Sequence, residues 1–263
     1  MKALTGHMTD MGERGVACEA EALQLLSQVP ASPHCTQLLD EFTISGKGSA
    51  GSHRCFVMPV YGGDVKAFVE AHTTALSLPL VKRIVLHLLR GIAHTHERGI
   101  VHTDIKHDNI FFSTTLTADD IEAWVTKDPS RRHAPEASHD GVMQVAVSQP
   151  LPMISEDEAM RATYLLADYG CGVFLTGLSQ FIYSWQISAQ PTDLHDNQAI
   201  TSLPLRPPEA YLGADWDKPA DIWTFGCLVR ARHLMTSGWE KSDMNFIDIR
   251  TGYLKTSLPL QTK

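Results

Sequence analysis

The 263-residue chain is poor in the features that most quickly assign a protein to a class. It has five cysteines, Cys18, Cys35, Cys55, Cys171 and Cys227, scattered and without a C-x-x-C pair. That excludes a dense disulfide framework and a paired-cysteine zinc site, and fits reduced thiols in a cytoplasmic or nuclear setting. No run of 18 or more apolar residues is present, so no membrane span is expected. The opening "MKALTGHMTD" lacks the apolar stretch of a secretory signal. Positive charge is in deficit: the formal net charge is -8, which argues against a direct nucleic-acid or anionic-membrane partner and suits a basic one. No internal repeat is visible. Histidine is plentiful, but His94, His96 and His102 in "HTHERGIVH" do not form H-E-x-x-H and have no cysteine nearby, so they make a weak metal set.

What remains is an ordinary composition, 43% hydrophobic and 20% charged, in a chain long enough to bury a core. Residues 12–30, "GERGVACEAEALQLLSQVP", read as a helix stopped by Pro30, with Leu23 and Leu26 on one face with Val16 and Cys18 or Ala22. "QLLDEFTISG" and "HRCFVMPVY" read as two strands around the turn-rich "GKGSAGS", a hairpin signature. In "LPLVKRIVLHLLRGIAHTHERG", Val81, Ile84, Val85, Leu88, Leu89 and Ile92 form one helical stripe, and Gly99 is placed to cap its end. Residues 113–162 are polar and proline-containing and read as an exposed insertion, with strand character in "GVMQVAVSQPLP". "YLLADYGCG" is a short apolar strand ending in an acid and glycine. "LPLRPPEAYLG" reads as extended. "DKPADIWTFGCLVRARHLM" restarts a helix, with Asp217 a plausible N-cap. Strands and one helix come first and helices dominate later, an α+β arrangement.

The chemistry concentrates in "GIVHTDIKHDNIFF", residues 99–112. Asp104, Lys106, Asp108 and Asn109 sit there among Ile100, Val101, Ile105, Ile110, Phe111 and Phe112. The polar cluster is either a solvated loop or a catalytic loop held by its apolar neighbours. "HTDIKHDN", then "DYG" about sixty residues later, then "PPE", follow the order of H-R-D-x-x-x-x-N, D-F-G and A-P-E. On these motifs the chain resembles the protein kinase catalytic domain. The resemblance implies a bilobal fold with a small β-rich N-lobe at 1–68. A larger helical C-lobe follows at 69–236, carrying the insertion, and then a divergent tail at 237–263.

It also implies roles. Asp104 is the base that accepts from the attacking hydroxyl, and Lys106 contacts the transferred phosphate. Asn109 and Asp168 hold magnesium against the phosphates of ATP. Lys2, in a strand tail "MKALTG", pairs with the α- and β-phosphates, and Glu19 is its helix partner, with Glu21 the alternative. His102 is a packing residue, and Asp221 matches the buried helix aspartate that anchors the catalytic loop. A lysine two residues after the base is typical of serine/threonine kinases.

Further features resemble the SR-protein kinases, particularly divergent fungal relatives: the threonine of "HTD", the insertion ending in "SQPLP", and "LRPPEAYLGADWDKPADIWTFGCLV". These imply an arginine/serine-rich protein substrate and a monomeric enzyme. The chain departs from the pattern in several places. Thr103 replaces the arginine that receives an activation-loop phosphate. Tyr169 replaces phenylalanine, and "RPPE", with Glu209, replaces A-P-E. No glycine-rich loop precedes Lys2, and the helices expected after residue 235 are not recognisable. The expectation is a kinase domain truncated at both ends. The competing expectation is a pseudokinase or scaffold that binds a partner without transferring phosphate.

Overall fold

A computed structural model describes residues 1–72, 75–138, 141–174 and 200–230, together with the strand pair Ile247–Asp248 and Tyr253–Leu254. Most of the expected tail, 237–263, lies outside the described residues.

The N-terminal part is a three-stranded antiparallel sheet in the order β1-β3-β2, with β1 at Lys2–Ala3, β2 at Asp40–Ser45 and β3 at Ser52–Val57. The β2–β3 hairpin pairs six residues in register, Asp40 with Val57 through Ser45 with Ser52. Its connection closes through glycines, with Gly48 and Gly51 both at positive φ, where a side chain would be strained.

Two helices cross this sheet region: α1 at Gly6–Glu13 and α2 at Glu19–Leu26. The continuous helix expected from residue 12 is therefore broken. Gly15 adopts φ +69°, and the Val16 and Ala17 N–H groups both donate to the Met11 carbonyl, closing α1 and turning the chain. The apolar face begins after that turn, at Ala20, Ala22, Leu23 and Leu26, all buried. The sequence gives α1 little apolar signal; it is fixed locally by Thr5, whose hydroxyl accepts from the Met8 N–H.

The helical part is organised by α4, Leu78–Glu97, which buries Leu80, Val81, Ile84, Leu88 and Ile92. Each fully buried leucine or isoleucine contributes about 1.5–3 kcal/mol. Leu89 lies at the edge of this stripe, 36% exposed. Gly99 follows the C-cap at φ +73°, as a left-handed terminator does. A second antiparallel sheet lies against α4. Its order is β4-β6-β9, from Tyr61–Asp64, Ile110–Ser113 and Tyr164–Leu166. Between them in sequence lie α3 (Val65–Ala71) and β5 (Ile100–Val101).

The polar segment after residue 113 leaves and re-enters this sheet at one point, since the Ser113 N–H donates to the Thr163 carbonyl. It is more ordered than a loop. It holds α5 (Ala118–Lys127) with a Thr117–Asp120 capping box, the hairpin β7 (Glu136–Ser138) and β8 (Gly141–Met143), and the short α6 (Glu156–Ala159). No residue of α5 is buried.

Beyond β9 comes β10, Val173–Phe174, paired with β5. "LPLRPPEAYLG" is not extended. Leu203–Leu205 form a 3-10 turn and Pro208–Tyr211 a short helix, α7, with prolines in the first turns, where a missing N–H costs nothing. The last described helix, α8, is Pro219–Arg230; its first turn closes as the Ala220 N–H donates to the Asp217 carbonyl.

Candidate active site

The loop between β5 and β6 owes its shape to a buried carboxylate. Asp221 of α8 is 1% exposed and accepts three donors: the His102 and Thr103 N–H groups, each at 2.8 Å, and His96 Nε2 at 2.8 Å. This network holds Thr103 at φ +64°, a left-handed conformation rare for a β-branched residue. The Thr103 hydroxyl donates to the Cys171 carbonyl at 2.6 Å. His102 is fully buried with both ring nitrogens engaged. Nδ1 accepts from the Asp104 N–H at 3.3 Å, so Nε2 carries the proton donated to the Ala167 carbonyl at 3.0 Å.

Asp104 emerges from this scaffold. Its Oδ2 accepts from Lys106 Nζ at 2.7 Å and from Asn109 Nδ2 at 3.0 Å, and Asn109 Nδ2 also reaches the Asp104 carbonyl at 2.9 Å. The hydrogen bond to Asp104 holds the Lys106 ammonium above its ordinary pKa, with the neighbouring carboxylates adding to it. Asp108, four residues after Asp104, turns outward to Lys66 of α3 at 3.4 Å.

Asp168 reaches the same place by sheet pairing. Ile110 pairs with Leu166, and the Ala167 N–H donates to the Asn109 carbonyl at 2.9 Å. Asn109 and Asp168 therefore lie at adjacent ends of neighbouring strands, although 59 positions separate them in the chain. Asp168 has φ +62°, and the 3-10 turn Tyr169–Cys171 follows it.

From the N-terminal sheet, Lys2 Nζ lies 2.5 Å from Glu19 Oε1 and 2.7 Å from Asp168 Oδ1. Glu21 is exposed, and the pairing falls on Glu19 because, of the two glutamates of α2, it is the buried one. Burial disfavours the Lys2 ammonium, but Glu19 and Asp168 outweigh it and its pKa is raised. For Glu19 burial wins over Lys2, and the carboxyl is pushed up. At Asp168 burial pushes up, but Lys2 and the Gly170 N–H prevail and hold it low.

All six candidate residues thus lie in one region, in two groups joined through the Asn109–Ala167 backbone bond. The donors are hard oxygens, from the half-exposed Asp168 carboxylate and the Asn109 amide. That chemistry fits magnesium held by few protein ligands plus phosphate oxygens. Among the described residues no group of three or more His, Cys, Asp or Glu is arranged to hold a metal ion.

Sequence reasoning left three contributors unassigned. Residues His34–Thr36 pair with the outer edge of β9: the Leu166 N–H donates to the His34 carbonyl and the Thr36 N–H to the Leu166 carbonyl, both at 2.9 Å. His87 accepts the Tyr164 N–H at 3.1 Å, and His34 donates to the Tyr164 carbonyl at 3.0 Å, the two imidazoles lying 4.4 Å apart. Thr95 meets the Tyr169 hydroxyl at 3.1 Å. Only the last had a signal in the sequence, since a buried tyrosine needs a partner for its hydroxyl.

A small antiparallel sheet carrying a lysine, a helix glutamate beneath it, and a helical region presenting Asp-x-Lys-x-x-Asn beside an Asp just past a strand end make the arrangement that the kinase resemblance implies. Family comparison agrees: the protein kinase domain model matches residues 2–120. Residues 2–120 thus match the protein kinase domain, and the relatives the chain resembles are kinases of the CLK and SRPK type. It is 26% identical over 197 residues to a probable serine/threonine-protein kinase, clkA, of Dictyostelium discoideum, covering 74% of this chain and 17% of that protein. It is 25% identical over 226 residues to the serine/threonine-protein kinase SRPK of Physarum polycephalum, covering 80% and 48%. A shorter stretch of 83 residues is 39% identical to SRSF protein kinase 3 of Homo sapiens, covering 31% and 14%. The chain spans less than half the length of each of these relatives.

Proposed function

We propose that the protein transfers the γ-phosphate of ATP to serine or threonine hydroxyls of a protein substrate, with Asp104 as the residue that orients and accepts from the attacking hydroxyl. The observation that carries this reading is the environment of Asp104. Its carboxylate is held by Lys106 and Asn109 on a loop anchored through Asp221, with Asp168 on the neighbouring strand.

Phosphoryl transfer asks mainly for positioning and for cationic stabilisation of the moving group. Lys106, already beside Asp104, supplies positive charge where the phosphoryl group passes. Lys2 supplies it to the non-transferred phosphates, oriented by Glu19. Asn109 and Asp168 would hold magnesium, which neutralises charge on the bridging phosphates when bound. Lys2 touches Asp168 directly, so nucleotide and metal binding would exchange that ion pair for phosphate and metal contacts. We place the nucleotide between an N-terminal unit at 1–68 and a helical unit at 69–236.

The substrate reading is an arginine/serine-rich protein. It rests on the similarity to SRSF protein kinase 3 and on a net charge of -8, which complements a basic partner.

The test is Asp104→Asn assayed on an arginine/serine peptide. Phosphate transfer is expected to fall by two orders of magnitude or more while ADP affinity stays within about twofold. Equal transfer by mutant and parent would refute the role of Asp104. Tight magnesium–ADP binding by a parent that transfers no phosphate would favour a pseudokinase instead.

A further inference from the structure

The aromatic residue after the metal-binding aspartate is a tyrosine, and its hydroxyl is fully buried. Tyr169 is 0% exposed, and its ring lies 4.7 Å from that of His102. Such a hydroxyl is costly to bury without a partner. Its oxygen partner is Thr95, from the last turn of α4, at 3.1 Å, with the Cys35 thiol as a weaker second partner. Thr95 is 0% exposed, and its own proton goes to the Gly91 carbonyl, 2.9 Å away. With that proton committed, Tyr169 donates and Thr95 accepts. Cys35 completes the cluster, its sulfur 3.6 Å from Thr95 Oγ1 and 3.5 Å from the Gly91 carbonyl.

We infer that Thr95 is a positioning residue for Asp168: its hydroxyl, by holding the Tyr169 hydroxyl, fixes the turn that presents Asp168 to the metal. The geometry gives this leverage. Asp168 immediately precedes Tyr169 and sits at φ +62°, a conformation that persists only if its surroundings hold it. On one side it is held by β9, and on the other by the buried ring of Tyr169. Swinging Tyr169 out of its pocket would pull Asp168 away from Lys2 and from its place next to the Ala167–Asn109 backbone bond. An apolar ring would be held by burial alone. A tyrosine adds a directional restraint and a penalty for any pose that loses the partner. The cluster belongs to α4 and to the His34–Thr36 segment, so the restraint ties the metal-binding turn to the long core helix. The inference rests on the kinase reading only for its metal consequence; the restraint on the turn stands apart from it.

The experiment uses the full chain with Thr95→Val, Thr95→Ser, Tyr169→Phe and the Thr95→Val/Tyr169→Phe pair. Two readouts are taken: amide hydrogen exchange over residues 164–172 without nucleotide, and the magnesium-induced gain in ADP affinity by calorimetry. Thr95→Val leaves the tyrosine hydroxyl only the Cys35 sulfur, a weak acceptor, so exchange in the turn should quicken by roughly tenfold and the magnesium gain should shrink by a similar factor. Magnesium-free ADP affinity should hold. Thr95→Ser keeps the acceptor and should behave as the parent. The double variant relieves the poorly partnered hydroxyl but lacks the directional restraint, so it should fall between Thr95→Val and the parent. A Thr95→Val protein indistinguishable from Thr95→Ser, or a double variant as impaired as Thr95→Val, overturns the inference. Should Thr95→Val not fold, Tyr169→Phe decides: unchanged exchange and an unchanged magnesium gain overturn it. A parent that shows the exchange pattern but binds no magnesium–ADP would instead refute the kinase reading and leave the restraint standing.

Discussion

Replacing Gly91 by alanine sets two effects of opposite sign against each other. Gly91 lies inside α4, fourteenth of its twenty residues, where glycine is about 1 kcal/mol worse than alanine. By propensity alone the substitution stabilises. The surroundings say otherwise. A Cβ at Gly91 would lie 2.5 Å from the His34 carbonyl oxygen and 3.3 Å from Leu166 Cγ and Cδ1. The nearest atom is backbone, and that same carbonyl accepts the Leu166 N–H that joins His34–Thr36 to β9. Relief requires the strand or the helix to move. Overpacking of this kind costs typically about 1–3 kcal/mol, and strain on the Leu166–His34 bond adds up to about 1 kcal/mol. The expected net effect of Gly91→Ala is a loss of about 1–2 kcal/mol. Urea denaturation reads it as a lower midpoint at unchanged slope, because the surface exposed on unfolding stays the same. A midpoint equal to or above that of the parent would refute the packing argument and show helix propensity in control.

The buried imidazole pair predicts acid sensitivity. Burial, the His34 ring, Arg83 and Arg90 all oppose charge on His87, lowering its pKa from 6.5 to about 4. The folded state favours the neutral form, so the contribution is complete above pH 6.5 and is lost as pH falls towards 4, by at most about 3 kcal/mol. Melting temperature followed from pH 7 to 4 should drop less in His87→Gln than in the parent, and equal slopes would refute this. Asp221→Ala leaves the His102 and Thr103 N–H groups buried without their acceptor, at about 1–3 kcal/mol each, so a loss of at least about 2 kcal/mol is expected in the same urea assay. A loss under about 1 kcal/mol would show that the loop does not depend on it. Asp168→Ala should abolish the magnesium dependence of ADP affinity in calorimetry; an unchanged dependence would remove "DYG" from the metal site. Brief trypsin treatment should cut first at the exposed Arg131–Arg132 step in the insertion, and a first cut within α4 or β6 would contradict its placement outside the core.

Much of the site is local in sequence and was therefore legible. Five positions separate Asp104 from Asn109, and that spacing lets the Asn109 amide reach both the backbone carbonyl and Oδ2 of Asp104. The α4 stripe, the glycine after it and the β2–β3 hairpin follow from helical period, left-handed backbone and turn composition, each set within a few residues. Residues 12–30 misled for the same reason: apolar spacing continues through Gly15, but the turn there is decided by a backbone conformation that spacing does not record. The insertion's helix escaped because α5 buries nothing and is held by its capping box. Tertiary structure alone decided the long-range meetings. Lys2 reaches Asp168 across 166 positions because β1 joins β3 while β9 joins β6. His34 and His87 grip the Tyr164 N–H and carbonyl because an unremarkable segment, "HCT", lies along the outer edge of β9. Thr95 and Tyr169 meet because α4 packs against β9 and the segment beside it. Periodicity shows which face of an element is buried; only the packed chain shows which buried hydroxyl finds which.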